Sequence, residues 1–448
     1  MLSSRLPKDL SPSPFFAELE RAKADVLAEC AGANSLPFID MTVSSPVRAG
    51  LPIDMDAAVE AARKDFGCWN PDAAGWMSAR EAVAEYYRER GGNFDAGQII
   101  LTASTSEAYS VLFKAFCDPG DVILTPMPGY PLLDTLAQLE HLECAPYFLE
   151  LRRKTKRLQG ESRTDKLACR YDRAAAPDAE GVKDERRKTC GGEFRFVLDT
   201  DSLLSVPEKA KILLLVSPHN PTGHCVSRTE WNEVVSFCEQ HNLILVVDEV
   251  FGDYGFSDDV RRSWTFLADS KPKCPIFWLN GLSKAVGSPQ LKLGWMAFYA
   301  PEEQFEPIRA ALEFVEDAYL SVSAPAQALG ISLLPKSAAY EARVKERLLA
   351  NWKTLREAFP SKYCPEVVGG WYAAIRLGED DEELTLRLLR EKHVLVQPGF
   401  FFDFDEDGWV VVSLLQEPAL FKEAVARLTR SHPDESQDRQ SDSKTSSG

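Results

Sequence analysis

Short apolar runs alternate with amphipathic stretches along most of the chain. The runs are continuous and rich in β-branched residues, as is typical of strands that are buried on both faces. They lie at 98–102, 121–125, 211–216, 243–247, 275–279 and 294–299. The stretches between several of them carry apolar residues at helical spacing and lie at 107–116, 131–139 and 228–241. This order predicts an α/β fold whose large domain has a mostly parallel central sheet flanked by helices.

The pattern changes near residue 314. Helical spacing is followed by strand-like segments and a last helix, in the order 324–334, 338–358, 370–377, 394–397, 409–414 and 418–429. We expect these elements to form a smaller α+β domain together with the N-terminal arm. The predicted division is therefore an arm and part of the small domain at 1–66, a large domain at 67–313 and a small C-terminal domain at 314–431.

Two polar segments interrupt this organisation. Residues 152–193 contain 13 Lys and Arg and 8 Asp and Glu and few aromatic residues. Such a segment cannot bury a core, so we predict a flexible insertion in the large domain, with a basic patch for an acidic partner as the alternative. Residues 432–448 are polar throughout and predict a disordered tail.

Composition and charge narrow the classes of function. The chain has 448 residues, of which 45% are hydrophobic, and its net charge is −17. An acidic chain argues against nucleic-acid and membrane-surface partners, and the apolar runs are shorter than the roughly 20 residues of a membrane span. The ten cysteines are scattered without a C-x-x-C, and the first residues lack a secretory apolar core. These features predict no metal site and a reducing compartment, the cytoplasm.

Polar residues at predicted strand ends carry the candidate chemistry. Lys284 directly follows a buried strand, where an ammonium is costly to bury, and its free amine would form imines with carbonyl compounds. An exposed lysine in a strand-to-helix turn is the alternative. Asp248 ends a very apolar strand, so it either caps a helix or pairs with a cation. A Walker-type nucleotide site is set aside because the chain has no G-x-x-x-x-G-K-[ST] loop.

Three further turns follow strands. The segment S-P-H-N-P-T-G is typical of a tight turn, which accounts for its proline and glycine. A turn does not account for the amide of Asn220, which lies where open α/β sheets bind ligands. Ser104 and Glu107 form a capping box, and a helix start rich in hydroxyls is also an anion site. Tyr130 lies in the turn P-M-P-G-Y-P. Its ring is either exposed for stacking on a ligand or simply the aromatic side chain of a β-turn.

The order and spacing of these motifs resemble the class I and II aminotransferases of fold type I. The shared order is helix-start hydroxyls, a turn aromatic, N-P-T-G, a strand aspartate, and S-K with Lys292 eight residues later. The resemblance covers about residues 3–430 apart from the predicted insertion. It implies pyridoxal 5'-phosphate (PLP) as cofactor, a small-molecule amino donor, a 2-oxo acid acceptor and a homodimer with active sites between subunits.

The resemblance also implies roles for individual residues. Lys284 would hold PLP as a Schiff base and shuttle a proton, Asp248 would pair with the pyridinium nitrogen, and Tyr130 would stack on the ring. Asn220 would donate to the ring oxygen O3′. The remaining cofactor-binding residues implied are Ser104, Thr105, Ser106, Phe251, Ser283 and Lys292. Of these, Lys292 stands where the family usually has a phosphate-binding arginine.

The chain departs from the family pattern at several positions. Phe251 replaces a tyrosine that assists O3′, and Trp69 replaces an aromatic that usually reaches the partner subunit's phosphate. Val411 stands where an arginine usually clamps the substrate carboxylate. We expect Arg48 to bind the substrate in its place, with Arg376 as the weaker candidate.

The resulting prediction is a PLP-dependent aminotransferase acting on an amino acid or related amine. The alternative within the fold is another PLP enzyme, namely a lyase, a decarboxylase or a cyclase of a modified amino acid. A ligand-sensing regulator would need a DNA-binding segment, for which there is no room before Ser104. A catalytically inactive paralogue would not need Lys284.

Overall fold

The computed structural model of the chain describes residues 3–7, 9–11, 13–30, 36–153, 193–204, 206–378 and 380–429. The prediction of a disordered tail at 432–448 lies outside these ranges, as does the prediction of an insertion for 154–192. At the margins of that insertion the structure corrects the prediction. Arg152 and Arg153 end a strand, and Glu193 forms an ion pair with Arg356 at 2.9 Å.

The strands and helices of the described ranges follow the predicted alternation. The strands are β1 (Ile39–Asp40), β2 (Ile99–Thr102), β3 (Val122–Met127), β4 (Glu143–Arg153), β5 (Phe194–Leu198), β6 (Ala210–Val216), β7 (Ile244–Asp248), β8 (Ile276–Gly281), β9 (Gly294–Tyr299), β10 (Tyr372–Arg376), β11 (Val394–Leu395), β12 (Gln397–Pro398) and β13 (Trp409–Ser413). The helices are α1 (Pro14–Glu29), α2 (Met55–Ala62), α3 (Met77–Arg88), α4 (Thr105–Phe116), α5 (Leu132–Leu139), α6 (Arg228–His241), α7 (Leu282–Ala285), α8 (Glu302–Asp317), α9 (Ala324–Leu333), α10 (Ser337–Ala358), α11 (Asp381–Lys392) and α12 (Pro418–Thr429).

The large sheet has the strand order β2-β9-β8-β7-β6-β3-β4-β5. Neighbours are parallel from β4 through β3, β6 and β7 to β8, whereas β9 runs antiparallel to both of its neighbours and β5 runs antiparallel to β4. The prediction of a mostly parallel sheet is confirmed. Because helical connections return the chain across the sheet, the carboxyl ends of its parallel strands meet at one edge.

Side chains of the central strands pack on both faces of the large sheet, since successive strand residues point in opposite directions. Along β6, Ile212 and Leu214 belong to a cluster that includes residues of α4, α5 and α8. The alternate residues Leu213 and Leu215 belong to the cluster that includes residues of α3 and α6. Burial on both faces explains why these strands are apolar without interruption.

The small domain is built on an antiparallel sheet of order β10-β13-β12 and a short parallel pair, β1 and β11. The prediction of one continuous strand at 394–397 is wrong, because the segment forms two short strands with different partners. Val394–Leu395 pairs with β1, and Gln397–Pro398 then pairs with β13. This division cannot be read from periodicity, because it depends on partner strands that are distant in sequence.

The N-terminal arm packs on the small domain. Helix α1 begins after Ser13, whose hydroxyl accepts a hydrogen bond from the Phe16 amide at 3.3 Å. Its buried side chains Phe15 and Leu19 share a cluster with Leu389 of α11. Together the three sheets and their helices confirm the predicted fold class.

Aromatic side chains join the two sheets. The ring of Phe251, after β7, lies 5.4 Å from that of Trp371, and the ring of Phe196 on β5 lies 5.7 Å from that of Trp409 on β13. The β10-β13-β12 sheet therefore stands over the carboxyl edge of the large sheet. None of the helices in the described ranges is both long and apolar enough to cross a membrane.

Candidate active site

The sequence-predicted site residues converge on the carboxyl edge of the large sheet. Strand β2 leads into the start of α4, β3 into the turn that holds Tyr130, and β6 into the turn that holds Asn220. Asp248 is the last residue of β7, and Lys284 lies three residues after β8. The antiparallel strand β9 begins at the same edge, because Gly294 pairs with Thr102 and with Gly281.

Lys284 lies among aromatic side chains in the short helix α7. Its Nζ is 4.6 Å from the ring centroid of Trp371 and 5.3 Å from that of Phe251. The Lys284 carbonyl oxygen accepts a hydrogen bond of 2.6 Å from the Tyr254 hydroxyl, which fixes this backbone. Burial lowers the pKa of Lys284 to about 8, and the charge of Asp248 partly offsets that effect. The side chain therefore holds a substantial neutral fraction near pH 8, as a nucleophilic amine needs.

Asp248 presents a carboxylate with two ordered donors. Its Oδ1 accepts from the Val250 amide at 3.1 Å, and its Oδ2 accepts from the Tyr109 hydroxyl at 2.8 Å. Burial raises the pKa of Asp248, whereas these two donors and the charge of Lys284 act in the opposite direction. The arrangement suits a carboxylate whose partner is a cation in a site of low polarity.

The start of α4 forms a compact anion cradle. Ser104 caps the helix by accepting from the Glu107 amide at 3.2 Å, as predicted. The reciprocal half of the predicted capping box is absent, because the Glu107 carboxylate accepts from the Ala103 amide and not from that of Ser104. A Cβ on Gly294 would lie 2.9 Å from the carbonyl carbon of Ser104 and 3.1 Å from the Thr105 nitrogen, so only glycine lets β9 begin here. Ser106 follows within the first turn, where free backbone N–H groups favour an anion.

Ser283 and Lys292 both lie in the segment that joins β8 to β9, and β9 begins beside this cradle. Lys292 is exposed, has a φ of 53° and lies two residues before Gly294. Ser283 is half-buried beside Lys284. The backbone thus brings a second cation to the edge that carries the helix start, where it can reach an anion as a point charge.

Asn220 lies in a rigid turn between β6 and α6. The Gly223 amide donates to the His219 carbonyl at 2.8 Å, and the Val226 amide donates to the Ser217 hydroxyl at 3.1 Å. Gly223 has a φ of 68°, and a Cβ there would lie 2.5 Å from a Val367 methyl carbon. Within the described ranges the buried Oδ1 of Asn220 has no hydrogen-bond partner. A buried amide oxygen of this kind needs a hydrogen-bond donor, which a ligand or an ordered water can supply.

Tyr130 is the most exposed of the predicted ring-binding residues. Its side chain is 46% exposed, in the turn between β3 and α5. The preceding Gly129 amide donates to the Phe402 carbonyl at 2.8 Å, which ties this turn to the small domain. The structure places Tyr130 at the sheet edge that holds Asp248 and Lys284, with its side chain partly exposed. Phe251, by contrast, is buried against Trp371 and Tyr372.

The wall contributed by the small domain is apolar and aromatic. Val411 is fully buried on β13, where it pairs with Ala374 and Gln397. Arg376 is four residues beyond Tyr372 on β10 and forms an ion pair of 2.5 Å with Glu406. Arg376 is thus already engaged. Valine offers no donor, so this wall cannot bind a carboxylate at Val411.

Arg48 lies in the loop between β1 and α2, and its side chain is exposed. The same loop passes the aromatic wall, because the Ser44 hydroxyl is hydrogen-bonded to Tyr372. The ring of Tyr372 is in turn 5.9 Å from that of Phe251. The loop therefore brings Arg48 into the neighbourhood of the site without fixing its side chain there.

Sequence reasoning missed three side chains at this site. Tyr109 bonds Asp248, Tyr254 bonds the Lys284 backbone, and Trp371 covers the Lys284 ammonium. Tyr109 could have been found from helical spacing, since it follows Thr105 by four residues and so lies on the same face of α4. Trp371 carries no such signal, because its contact with Lys284 depends on how the two domains meet. Tyr254 carries none because its partner Lys284 lies 30 residues away within the large domain.

These groups fit PLP. The cradle at the start of α4 suits its phosphate, Lys284 suits its aldehyde, Asp248 suits its ring nitrogen, and the NH2 group of the Asn220 amide suits a ring oxygen as its donor. Because the four groups lie at one sheet edge, they can contact a single molecule of that size.

Comparison with known proteins identifies the family of the chain. Residues 54–428 match the model of the family described as aminotransferase class I and II. An alanine aminotransferase of Mycobacterium tuberculosis is 26% identical over 347 residues, which are 74% of this chain and 71% of that protein. The glutamate-pyruvate aminotransferase AlaA of Haemophilus influenzae is 24% identical over 376 residues, which are 80% of this chain and 81% of that protein.

Solved structures show the same fold. An Escherichia coli aminotransferase superposes with a TM-score of 0.72 at 20% identity, over 96% of this chain and 97% of that one. A double mutant of Thermus thermophilus aspartate aminotransferase gives a TM-score of 0.73 at 20% identity, over 96% and 99% of the two chains. The large sheet with its small domain is therefore the architecture of these enzymes.

Proposed function

The chain belongs to the class I and II aminotransferase family and is a PLP-dependent transaminase, and from this premise we propose that its reaction takes place at Lys284. The donor is an amino acid or a related amine, and the acceptor is a 2-oxo acid. The observation that carries the proposal is a half-buried lysine of lowered pKa beside an ordered carboxylate, at the sheet edge that also holds a helix start and the amide of Asn220.

Each residue contributes a separate physical effect. When bound, PLP supplies an electron sink for negative charge that develops at the substrate α-carbon. Asp248 would hold the positive charge of the ring nitrogen, and the start of α4 with Lys292 would hold the phosphate. Lys284, as a neutral amine, would accept a proton at Nζ and return it, since Nζ is the basic atom among these groups. Trp371 and Phe251 exclude water from around this amine.

A panel of amines and amino acids would test this function. Each donor is added alone to the PLP-loaded protein, and the bound cofactor is then extracted and identified. Transamination converts it to pyridoxamine 5'-phosphate and releases a carbonyl product. A panel that leaves the cofactor as PLP while consuming substrate would instead support a lyase, a decarboxylase or a cyclase.

We propose Arg48 as the residue that binds the substrate carboxylate. The support is the position of its loop beside Tyr372 and the apolar environment of Val411. Arg48→Ala removes a charge-assisted contact, so KM for an α-amino acid is expected to rise about 10- to 100-fold while PLP binding stays unchanged. Steady-state kinetics and a PLP titration measure the two quantities.

Arg376→Ala is the matched control, because that guanidinium is already paired with Glu406. It should change KM little. If the Arg48 variant handles amino acids normally, Arg48 is not the clamp. If the wild type also accepts simple amines equally well, the site has no carboxylate clamp.

We propose a homodimer whose interface covers a groove near the cofactor site. The groove is lined by 68–73 and 320–324, and it adjoins the start of α4 because the Ser321 hydroxyl donates to Glu107 at 2.7 Å. Trp69 on the rim of the groove is 81% exposed. Phe314, which precedes the 320–324 side of the groove in the sequence, is 82% exposed. Large apolar side chains left this open favour burial against a second copy of the chain.

Trp69→Glu is expected to weaken that dimer, because a carboxylate at the centre of an apolar contact would be desolvated without a partner. Sedimentation velocity should show a shift from twice the chain mass of 49.9 kDa toward the single mass. Leu420→Glu, on the exposed side of α12, is the control and should sediment like the wild type. A Trp69 variant that remains fully dimeric would place the interface elsewhere.

We propose that the protein works in the cytoplasm. All eight cysteines in the described ranges are free thiols, which accords with a reducing compartment.

A further inference from the structure

The side chain that faces Asp248 from α4 is Tyr109. It is only 3% exposed, and its hydroxyl oxygen lies 2.8 Å from Asp248 Oδ2. Burial and the charge of Asp248 hold the pKa of this phenol well above its ordinary value. The hydroxyl therefore stays protonated over the whole working range of pH, and it acts as the donor in this hydrogen bond.

The groups that act on the Asp248 carboxylate come from three elements. Its own turn supplies the Val250 amide to Oδ1, α4 supplies the Tyr109 hydroxyl to Oδ2, and α7 supplies the charge of Lys284. Tyr109 is the only side-chain hydroxyl among them. Without it, Oδ2 would face a phenyl ring and would lose its ordered donor in an apolar environment.

We propose that Tyr109 is a positioning residue whose hydroxyl orients the Asp248 carboxylate and keeps it ionised, so that it can pair with the cationic ring of the cofactor. This inference rests on the proposed function, because it takes Asp248 as the partner of the ring nitrogen. It concerns how the carboxylate is prepared for that partner, and it does not require Tyr109 to touch cofactor or substrate.

The change Tyr109→Phe removes one hydrogen bond to a charged group and leaves the ring in place. Since that bond favours the ionised carboxylate, its loss raises the pKa of Asp248. A protonated carboxyl cannot pair with a cationic ring. Affinity for the cofactor is therefore fully retained above the raised pKa and is lost as the pH falls through it. From typical strengths of such bonds, the upward shift is about 1–2 pH units.

Pyridoxamine 5'-phosphate is the probe for this experiment, because it carries the same ring and phosphate but has no aldehyde to react with Lys284. Its dissociation constant for the apoprotein is measured between pH 5 and 9 from the quenching of tryptophan fluorescence, without substrate. We expect the midpoint of the affinity loss to lie about 1–2 pH units higher for Tyr109→Phe than for the wild type. At the alkaline end the two affinities should agree within a few-fold.

Tyr147→Phe is the matched control. Tyr147 is 1% exposed and donates to the Leu214 carbonyl at 2.7 Å, so this variant also loses a buried phenol but leaves Asp248 untouched. Its pH profile should coincide with that of the wild type. In an Asp248→Asn background, which has no carboxyl to titrate, adding Tyr109→Phe should produce no further shift.

Every outcome of this experiment either supports or overturns the proposed role of Tyr109. Coincident profiles for Tyr109→Phe and the wild type would overturn the inference, and so would equal shifts in the Tyr109 and Tyr147 variants, which would show a general packing effect. Failure of the wild type itself to bind pyridoxamine 5'-phosphate at any pH would instead overturn the proposed function, and the inference with it. Thermal unfolding of each variant confirms that the compared proteins are folded.

Discussion

Lys284→Ala is expected to abolish the covalent link to PLP and, with it, transamination. The amine at Nζ is the nucleophile in this account, and its lowered pKa of about 8 comes from its enclosure by Trp371 and Phe251. Alanine offers neither the nucleophile nor the base. The visible absorption band of the lysine-bound cofactor should disappear, and reduction with borohydride should leave no PLP attached to the chain by mass spectrometry.

Lys292→Ala is the control for Lys284, since it removes the nearby cation at the same sheet edge. This variant should bind PLP more weakly, yet borohydride should still fix the cofactor to Lys284. A reducible linkage that survives in the Lys284 variant would show that another amine carries the cofactor.

Asp248→Asn is expected to slow the first half-reaction by about two to four orders of magnitude. The neutral amide keeps the shape of the carboxylate but cannot balance the charge of the ring nitrogen. Loss of one member of a buried charge pair is typically worth about 3–5 kcal/mol, and each 1.36 kcal/mol is a factor of ten in rate. Stopped-flow absorbance with a single amino donor measures this rate directly.

The neighbouring Glu249 provides a matched control. Burial raises the pKa of Glu249 to about 8, so near neutral pH its carboxyl is largely protonated, and Ser263 already donates to it at 2.7 Å. Glu249→Gln should therefore change the rate only a few-fold. If the Asp248 variant also stays within a few-fold of the wild type, Asp248 does not pair with the ring.

Much of the large domain could be predicted from the sequence, because its central strands are buried on both faces. The run that became β6 needs no partner to be recognised, since every residue from Ile212 to Leu215 is buried. By contrast, β4 escaped prediction because only two of its 11 residues are buried, and α11 escaped because charged residues dominate Asp381–Lys392. Their stability comes from tertiary contacts rather than from local pattern.

The residues of the candidate site likewise divide into those that the sequence predicts and those that it does not. Lys284, Asp248 and Asn220 could be found because each follows a buried strand, and parallel topology then brings strand ends to one edge. Helical spacing could place Tyr109 on the face of α4 that carries Thr105, but it could not show the bond to Asp248, which lies 139 residues away on β7. The contact of Trp371 with Lys284 could not be predicted either, because it crosses the domain boundary. Contacts of this kind depend on tertiary packing, which local periodicity does not predict.

The central claim is that this chain moves an amino group from a donor to a 2-oxo acid through its own bound cofactor. The most direct test supplies a donor labelled with ¹⁵N at its amino group together with an unlabelled 2-oxo acid, and follows the isotope by mass spectrometry. The account predicts that ¹⁵N appears in the amino acid formed from the 2-oxo acid, and that Lys284→Ala stops this transfer. Release of the label as ammonia, with no labelled amino acid formed by the wild type, would contradict it.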